Sequence, residues 1–322
     1  MPRPRYIMDF ERPLVDLEAK LADLRRLDRE DTPDLHAEIE TLAAEIETLR
    51  IETYHHLSPW DRVQIARHPD RPKSQHYIEA LFTDVVELHG DRLFGDDEAI
   101  FAGLATLDGR RVAVLGHRKG TNTTENIRRH FGSPSPEGFR KGMRVMCLAE
   151  KFGLPLVTFL DTPGAYAGPE AEERGQGLAI AESLELLAAL RVPVVCVGIG
   201  EGGSGGALAI GFGDRLFILE NAYYSVSSPE ACASIIYRDS GQAETVASCL
   251  KMTAEDVVRL GIADEVLPEP IGGAHRDCDA VYEAVRAAVT SALDVLGQVE
   301  VDVLVEQRYQ RLRAIGEVCV LE

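Results

Sequence analysis

The chain lacks any apolar run long enough to cross a membrane. Its longest, around 192–199 and 154–160, fall far short of the ~20 residues a spanning helix needs. The opening MPRPRYIMDFERP has no apolar h-region, so no secretory signal is expected. Metal spacing is missing too. Cys147, Cys196, Cys232, Cys249, Cys278 and Cys319 are scattered, no CxxC occurs, and the histidines form no zinc signature. Free thiols in a reducing cytoplasm are the expectation, with no metal held by this chain. Basic residues are scarce against acidic ones, 34 to 53, for a formal charge of −19. Such a chain is a poor ligand for polyanions, so neither nucleic acid nor a membrane surface is an expected partner.

What remains is a folded globular chain of 322 residues, 45% hydrophobic and 27% charged. Leu14, Leu17, Leu21 and Leu24 repeat at helical spacing. A second helix is predicted after Thr32-Pro33, with Thr32 as cap and an a/d stripe of Leu35, Ile39, Leu42, Ile46 and Leu49. The two suit an antiparallel hairpin, either closed on its own core or serving as a docking arm. Residues 58–72 read as a turn-rich, charged bridge. Residues 1–72 are thus taken as an N-terminal helical extension and 73–322 as the main domain.

Within that domain, strand-like residues 99–107 and 111–116 flank Asp108-Gly109, a hairpin signal. A helix is predicted over 137–152, with Phe139, Met143, Met146, Ala149 and Phe152 on one face and Gly153 as its stop. Two similar units follow. A buried strand at 154–160 runs into DTPGAYAG and a helix at 171–190. A second, at 192–199, runs into GEGGSGGALAIG. This order implies parallel strands in a layered α/β core. Thr253 to Asp256 reads as a capping box for a short helix ending at Gly261, and the chain from 277 onward reads as helical.

The second glycine segment supports three readings. Gly198, Gly200 and Gly203 spell GxGxxG between strand and helix, with Glu220 ending the next strand, as a dinucleotide site requires. Gly202, Ser204 and Gly206 spell GxSxG, a nucleophile elbow, although His275 is the one histidine after it. In the third reading the backbone does the work. Amides at a helix start have no internal acceptor, and the helix dipole adds positive potential. Glycines leave those amides bare for an oxygen whose charge grows during reaction. A glycine turn serving only close packing would explain one or two of these glycines more readily than the whole run. Gly164 and Ala165 in DTPGAY would line the same crevice from the neighbouring strand end, while Asp161 reads best as a cap.

The landmarks DFE (9–11), WDRVQIARHPDRP (60–72), ELHGDR (87–92), PEGFRK (136–141), DTPGAY, AEERGQ (171–176), GEGGSGGALAIG, YSVSSPE (224–230), PEPIGGAHR (268–276) and RYQRL (308–312) run in order along the chain. Together they resemble the alpha-subunit family of bacterial acetyl-CoA carboxylase carboxyltransferases. Ala167 and Ala231 depart from that pattern, where proline and glycine are expected, and touch turn stiffness rather than chemistry.

The resemblance selects the third reading. It implies a crotonase-like (ClpP/crotonase) α/β fold, a ββα superhelix with an N-terminal helical hairpin. It implies a beta subunit as partner in an α2β2 heterotetramer, with zinc in that subunit only. Biotin carboxyl carrier protein and biotin carboxylase would complete the larger complex. Carboxyl would pass from carboxybiotin, tethered to its carrier, to acetyl-CoA, giving malonyl-CoA for fatty acid synthesis. By this resemblance Gly205 and Gly206 donate to the biotin ureido oxygen, and Gly202, Gly203, Ala207, Gly164 and Ala165 shape the site. A basic segment from Arg110 to Lys151 suits CoA phosphates or the carrier through Arg128 and Arg129, or else a surface paired with acidic neighbours. A stand-alone acyl-CoA hydratase or isomerase of the same fold would need a placed carboxylate, such as Glu201 or Glu230. A serine hydrolase would act through Ser204.

Overall fold

The computed structural model describes residues 6–27 and 33–316; the expected cap Thr32 and Cys319 lie outside the described residues. Helices α1 (Arg12–Leu27) and α2 (Pro33–His55) bury Leu14, Leu21, Leu42 and Ile46 against each other. That is the seam the leucine spacing calls for, and it makes the hairpin a small cluster of its own.

The expected bridge at 58–72 contains a helix, α3 (Pro59–Ala66). Ser58 Oγ accepts the Asp61 amide while the Asp61 carboxylate accepts the Ser58 amide. This reciprocal cap outweighs the local charge density. Val63 and Ala66 of α3 pack on Tyr223, Ala247 and Met252 of the main body. Next come α4 (Ser74–Leu81), β1 (Thr83–Glu87), β2 (Ile100–Leu107), β3 (Arg110–His117), α5 (Thr123–Arg128), α6 (Pro136–Phe152) and β4 (Leu156–Thr162). Asp108 and Gly109 close the β2–β3 hairpin, both at positive φ. The apolar face expected on α6 is buried at Phe139, Met146 and Ala149, but Phe152 is 60% exposed beneath Lys151.

The single helix expected over 171–190 is two, α7 (Pro169–Glu173) and α8 (Gln176–Ala189). Gly175 between them takes φ 79°, a left-handed conformation that glycine adopts without strain and that ends a helical turn. Then follow β5 (Val194–Gly203), α9 (Ser204–Leu208), β6 (Arg215–Leu219), β7 (Tyr223–Ser225), α10 (Pro229–Tyr237), α11 (Ala243–Cys249), α12 (Ala254–Arg259), β8 (Glu265–Leu267), α13 (Cys278–Leu296) and α14 (Val301–Arg313).

Among the described residues, eight strands form one sheet ordered β1-β2-β3-β4-β5-β6-β8, with β7 also paired to β5. The first three strands are antiparallel and the rest parallel. Strands β4 and β5 are buried at every position, which is why they read as continuous apolar runs. No helix among the described residues is long and apolar enough to cross a membrane.

Candidate active site at two glycine turns

Strands β4 and β5 end side by side, so DTPGAY and GEGGSGG meet. The segment expected as one turn, Gly198–Gly206, is mostly strand. β5 runs to Gly203 because Glu201, Gly202 and Gly203 pair with Tyr223, Tyr224 and Ser225 of β7. The reversal falls on one residue, Ser204, at φ 53°. Helix α9 begins there.

The glycines divide by what surrounds them. A Cβ on Gly203 would lie 2.2 Å from the Pro163 carbonyl oxygen, and one on Gly206 would lie 2.6 Å from the Ala165 nitrogen. A Cβ on Gly202 would strike Tyr224, and one on Gly200 the Asp161 carboxylate. Close packing of the two turns therefore accounts for most of the run. Gly205 differs, because its Cβ would meet little besides the Ile180 side-chain tip at 3.2 Å. Gly205 and Gly206 occupy the first turn of α9, where amides have no intrahelical acceptor. Ala207 is fully buried behind them. The Gly164 amide is already engaged by Thr162 Oγ1 at 3.1 Å, so Gly164 and Ala165 form the wall on which the second turn rests.

His117, which sequence reasoning passed over, joins the turns. It closes β3 and is fully buried. Its Nε2 donates to the Gly206 carbonyl at 3.0 Å, and its Nδ1 accepts the Asp161 amide at 3.3 Å. Burial holds its pKa down at about 3, so the ring is neutral.

Asp161 does not cap its own turn; Thr162 does that. Asp161 Oδ1 instead accepts the Glu201 amide at 3.1 Å and Lys119 Nζ at 2.6 Å. Lys119 also reaches Glu201 Oε2 at 2.6 Å, and Glu201 Oε1 accepts from Arg67 Nε at 2.7 Å and Tyr223 Oη at 2.6 Å. Arg67 continues to Glu230. Burial alone would raise the Glu201 pKa, but Lys119 and Arg67 outweigh it and hold the carboxyl at about 2. For Glu230, burial is likewise outweighed by Arg67, and its pKa is lowered. Both candidate carboxylates are thus ion-paired acceptors, poorly suited to take a substrate proton. Arg67 and Lys119 carried readable signals, the ARHPDRP landmark and the basic segment, but their partners are distant in sequence.

A cavity of about 790 Å³ opens beside these groups, lined by Arg67, Lys73, Lys119, Phe131, Pro163 and Glu201 among others. Its lining takes in neighbours of both turns but not Gly205 or Gly206. In the basic segment, Arg128 pairs with Glu98 at 2.8 Å and is largely exposed. Arg129 is mostly buried and donates to the Lys119 carbonyl at 3.1 Å. Arg118, Lys119, Arg140 and Lys141 all meet carboxylates.

The other turn readings fail on position. Gly198 and Gly200 lie inside β5, not at a phosphate-binding turn. His275 stacks on His68, ring centroids 3.9 Å apart, and both nitrogens of His117 are occupied, so neither serves Ser204 as a base.

The sheet order and the paired strand ends define a crotonase-like fold. Solved structures share it: a transcarboxylase 12S chain (TM-score 0.58, 18% identity, 71% of this chain and 42% of that chain) and a Pseudomonas malonate decarboxylase hetero-tetramer solved with coenzyme A (TM-score 0.56, 20% identity, 69% and 89%). The profile described as acetyl co-enzyme A carboxylase carboxyltransferase-like matches residues 7–316. Proteins named acetyl-coenzyme A carboxylase carboxyl transferase subunit alpha are similar over nearly full length. That of Thermus thermophilus is 50% identical over 96% of this chain and 98% of its own, and that of Halorhodospira halophila 51% over 97% and 98%. The chain belongs to the acetyl-CoA carboxylase carboxyltransferase alpha-subunit family.

Proposed function

We propose that this chain supplies the biotin-side half of an acetyl-CoA carboxylase carboxyltransferase and works with a beta subunit in an α2β2 assembly. Carboxybiotin, delivered by its carrier protein, releases CO2 and leaves a ureido anion. That anion takes a proton from the acetyl methyl group of acetyl-CoA, and the resulting enolate captures the CO2 to give malonyl-CoA. Because the substrate provides the base, the chain needs no acid–base pair of its own. Its tasks are to hold reactants in register and to stabilise an oxyanion.

The observation that carries this reading is the pair of first-turn amides at Gly205 and Gly206, on a helix whose Gly206 carbonyl is fixed by His117. Amides fixed beforehand stabilise a nascent oxyanion without reorganising as charge develops. We read residues 1–72 as an extension added to a crotonase-like unit over 73–322, and the working complex as cytoplasmic, with biotin carboxylase in the larger assembly and zinc in the beta subunit. Arg128 is exposed and would meet CoA or the carrier; Arg129 has the supporting role.

Co-expression with a beta subunit and assay with carboxylated carrier protein should yield malonyl-CoA. A folded, assembled complex that forms none would overturn the reading. The isolated chain should not hydrate crotonyl-CoA.

A further inference from the structure

Two landmark motifs meet at a pair of histidines that have no part in the proposed reaction. His68 of ARHPDRP and His275 of PEPIGGAHR stack face to face, with planes 5° from parallel. The second loop is shaped to deliver its ring. Gly272 and Gly273 turn it at φ 99° and 97°, where other residues are strained, and a Cβ on Gly273 would come within 2.8 Å of Ile65 in α3. Glu269 then accepts the Ala274 amide at 2.8 Å.

The stack lies in the seam between the N-terminal extension and the main domain. Tyr6 packs edge-on against His68, centroids 5.2 Å apart. Beside it Glu11, 1% exposed, accepts from Arg276 at 3.0 Å, Tyr54 Oη at 2.5 Å and the Met8 amide at 3.1 Å. Arg276 follows His275 in the loop and Tyr54 belongs to α2, so hairpin, stack and loop close on one another. His68 is flanked by Arg67, which holds Glu201, and by Arg71, which donates to the Ile199 carbonyl of β5 at 2.8 Å.

The polar contacts of the stack suit neutral rings. His68 Nδ1 accepts the Asp70 amide at 3.2 Å, so that nitrogen carries no proton. His275 Nδ1 is buried with no hydrogen-bond partner, a costly place for an added N–H. The charged groups facing the pair are Glu11 from the extension, Asp70 and Arg71 from the loop after α3, and Arg276 from the second loop. Glu11 is engaged by its three donors, and Arg71 by Glu269. Burial outweighs Asp70 and Glu11 and lowers the His68 pKa. Burial, then His68, Arg276 and Arg71, outweigh Glu11 and hold His275 at about 4.

We propose that the His68–His275 stack is an acid-sensitive latch that holds the N-terminal extension on the main domain. Neutral rings pack flat and keep the seam shut. A proton on His68 Nδ1 breaks its bond to the Asp70 amide, and protons on both rings set like charges at contact distance. A released extension leaves each ring in water, near the ordinary 6.5. The docked pKa values lie below that, so docking is complete above about pH 6.5 and weakens as pH falls toward 4. For His275 alone the ceiling at pH 5 is about thirtyfold. The ring is half-buried, and screening by water brings the expected weakening to about tenfold.

The test is hydrogen exchange of the full-length chain at pH 7.5 and pH 5.0, each corrected for the intrinsic rate. Protection of peptides within 8–27 and 33–55 should fall about tenfold at the lower pH. Peptides of β4 and β5 should keep theirs. His275→Phe keeps a flat ring on His68 and takes no proton, so its extension should retain most of its protection at pH 5.0. Should that variant fail to dock at pH 7.5, His68→Gln, which still offers an acceptor to the Asp70 amide, takes its place with the same expectation. Equal protection of the parent extension at both pH values would overturn the latch. So would a loss in the neutral variant as large as the parent's, or a simultaneous loss in β4 and β5.

Discussion

His117 supplies the hydrogen bond that the carbonyl of Gly206 cannot obtain from its own helix. Just past the end of α9 the Ile210 amide turns back to Ala207 at 3.4 Å, a tighter closure than the four-residue step that would have reached Gly206. The Gly206 oxygen takes the imidazole Nε2–H at 3.0 Å in its place. His117→Phe would keep the volume and strand this buried carbonyl. It should cost about 1–3 kcal/mol of stability and lower kcat, read by urea unfolding and by turnover of the assembled complex. Unchanged stability would contradict the pairing.

The same histidine sets a pH dependence. Its folded pKa is about 3, held down by burial, against an ordinary 6.5. Between those values the unfolded chain binds a proton that the folded chain refuses, so stability rises with pH across the window. The contribution is complete above about pH 6.5 and is lost as pH falls toward 3. Glu201, held near 2, is also lost on acidification, but His117→Gln shares that contribution. The thermal midpoint of His117→Gln should therefore fall less steeply than the parent's between pH 6.5 and 4. Parallel slopes would count against a buried neutral imidazole.

Arg308 anchors the last helix. It is 1% exposed, meets both Asp214 oxygens at 2.8 Å and donates to the carbonyls of Leu187, Leu190 and Val192. Arg308→Met leaves the buried Asp214 carboxylate with the Val194 amide but no cationic partner, and takes a donor from each of three carbonyls. The expected loss is roughly 3–5 kcal/mol, measured by denaturant unfolding.

Ser204→Ala should keep most of the carboxyl-transfer activity, since the account uses amides of the turn and not its hydroxyl. Near-total loss, with the fold intact by circular dichroism, would favour a nucleophilic serine.

Much of this was legible in the chain. The strand–turn–helix order, the buried runs of β4 and β5, and the hairpin seam all follow from local periodicity. What sequence reasoning could not reach depends on distant partners. β5 extends through Gly203 because β7 pairs with it, and Pro59–Ala66 within 58–72 folds as helix through its cap and its contact with Tyr223. The sequence landmarks turn out to bind one another. Arg71 of ARHPDRP holds Glu269 of PEPIGGAHR, Glu11 of DFE holds Arg276, and Asp91 of ELHGDR holds Arg140 of PEGFRK. Each motif is half of an ion pair, so none discloses its purpose alone. In GEGGSGG the missing side chains at Gly202, Gly203 and Gly206 also make room for neighbouring atoms, a packing role that only the folded contacts disclose.

That division singles out Gly205 as the position for the decisive substitution. Gly206 is unsuitable, because a side chain there would strike the Gly164–Ala165 backbone, whereas a Cβ at Gly205 meets the Ile180 tip. Turnover of Gly205→Val in a complex shown by gel filtration to assemble tests the oxyanion claim most directly. The account predicts a fall in kcat of about 100- to 1,000-fold, with KM for acetyl-CoA little changed. Parent-level turnover in that assembled variant would contradict it.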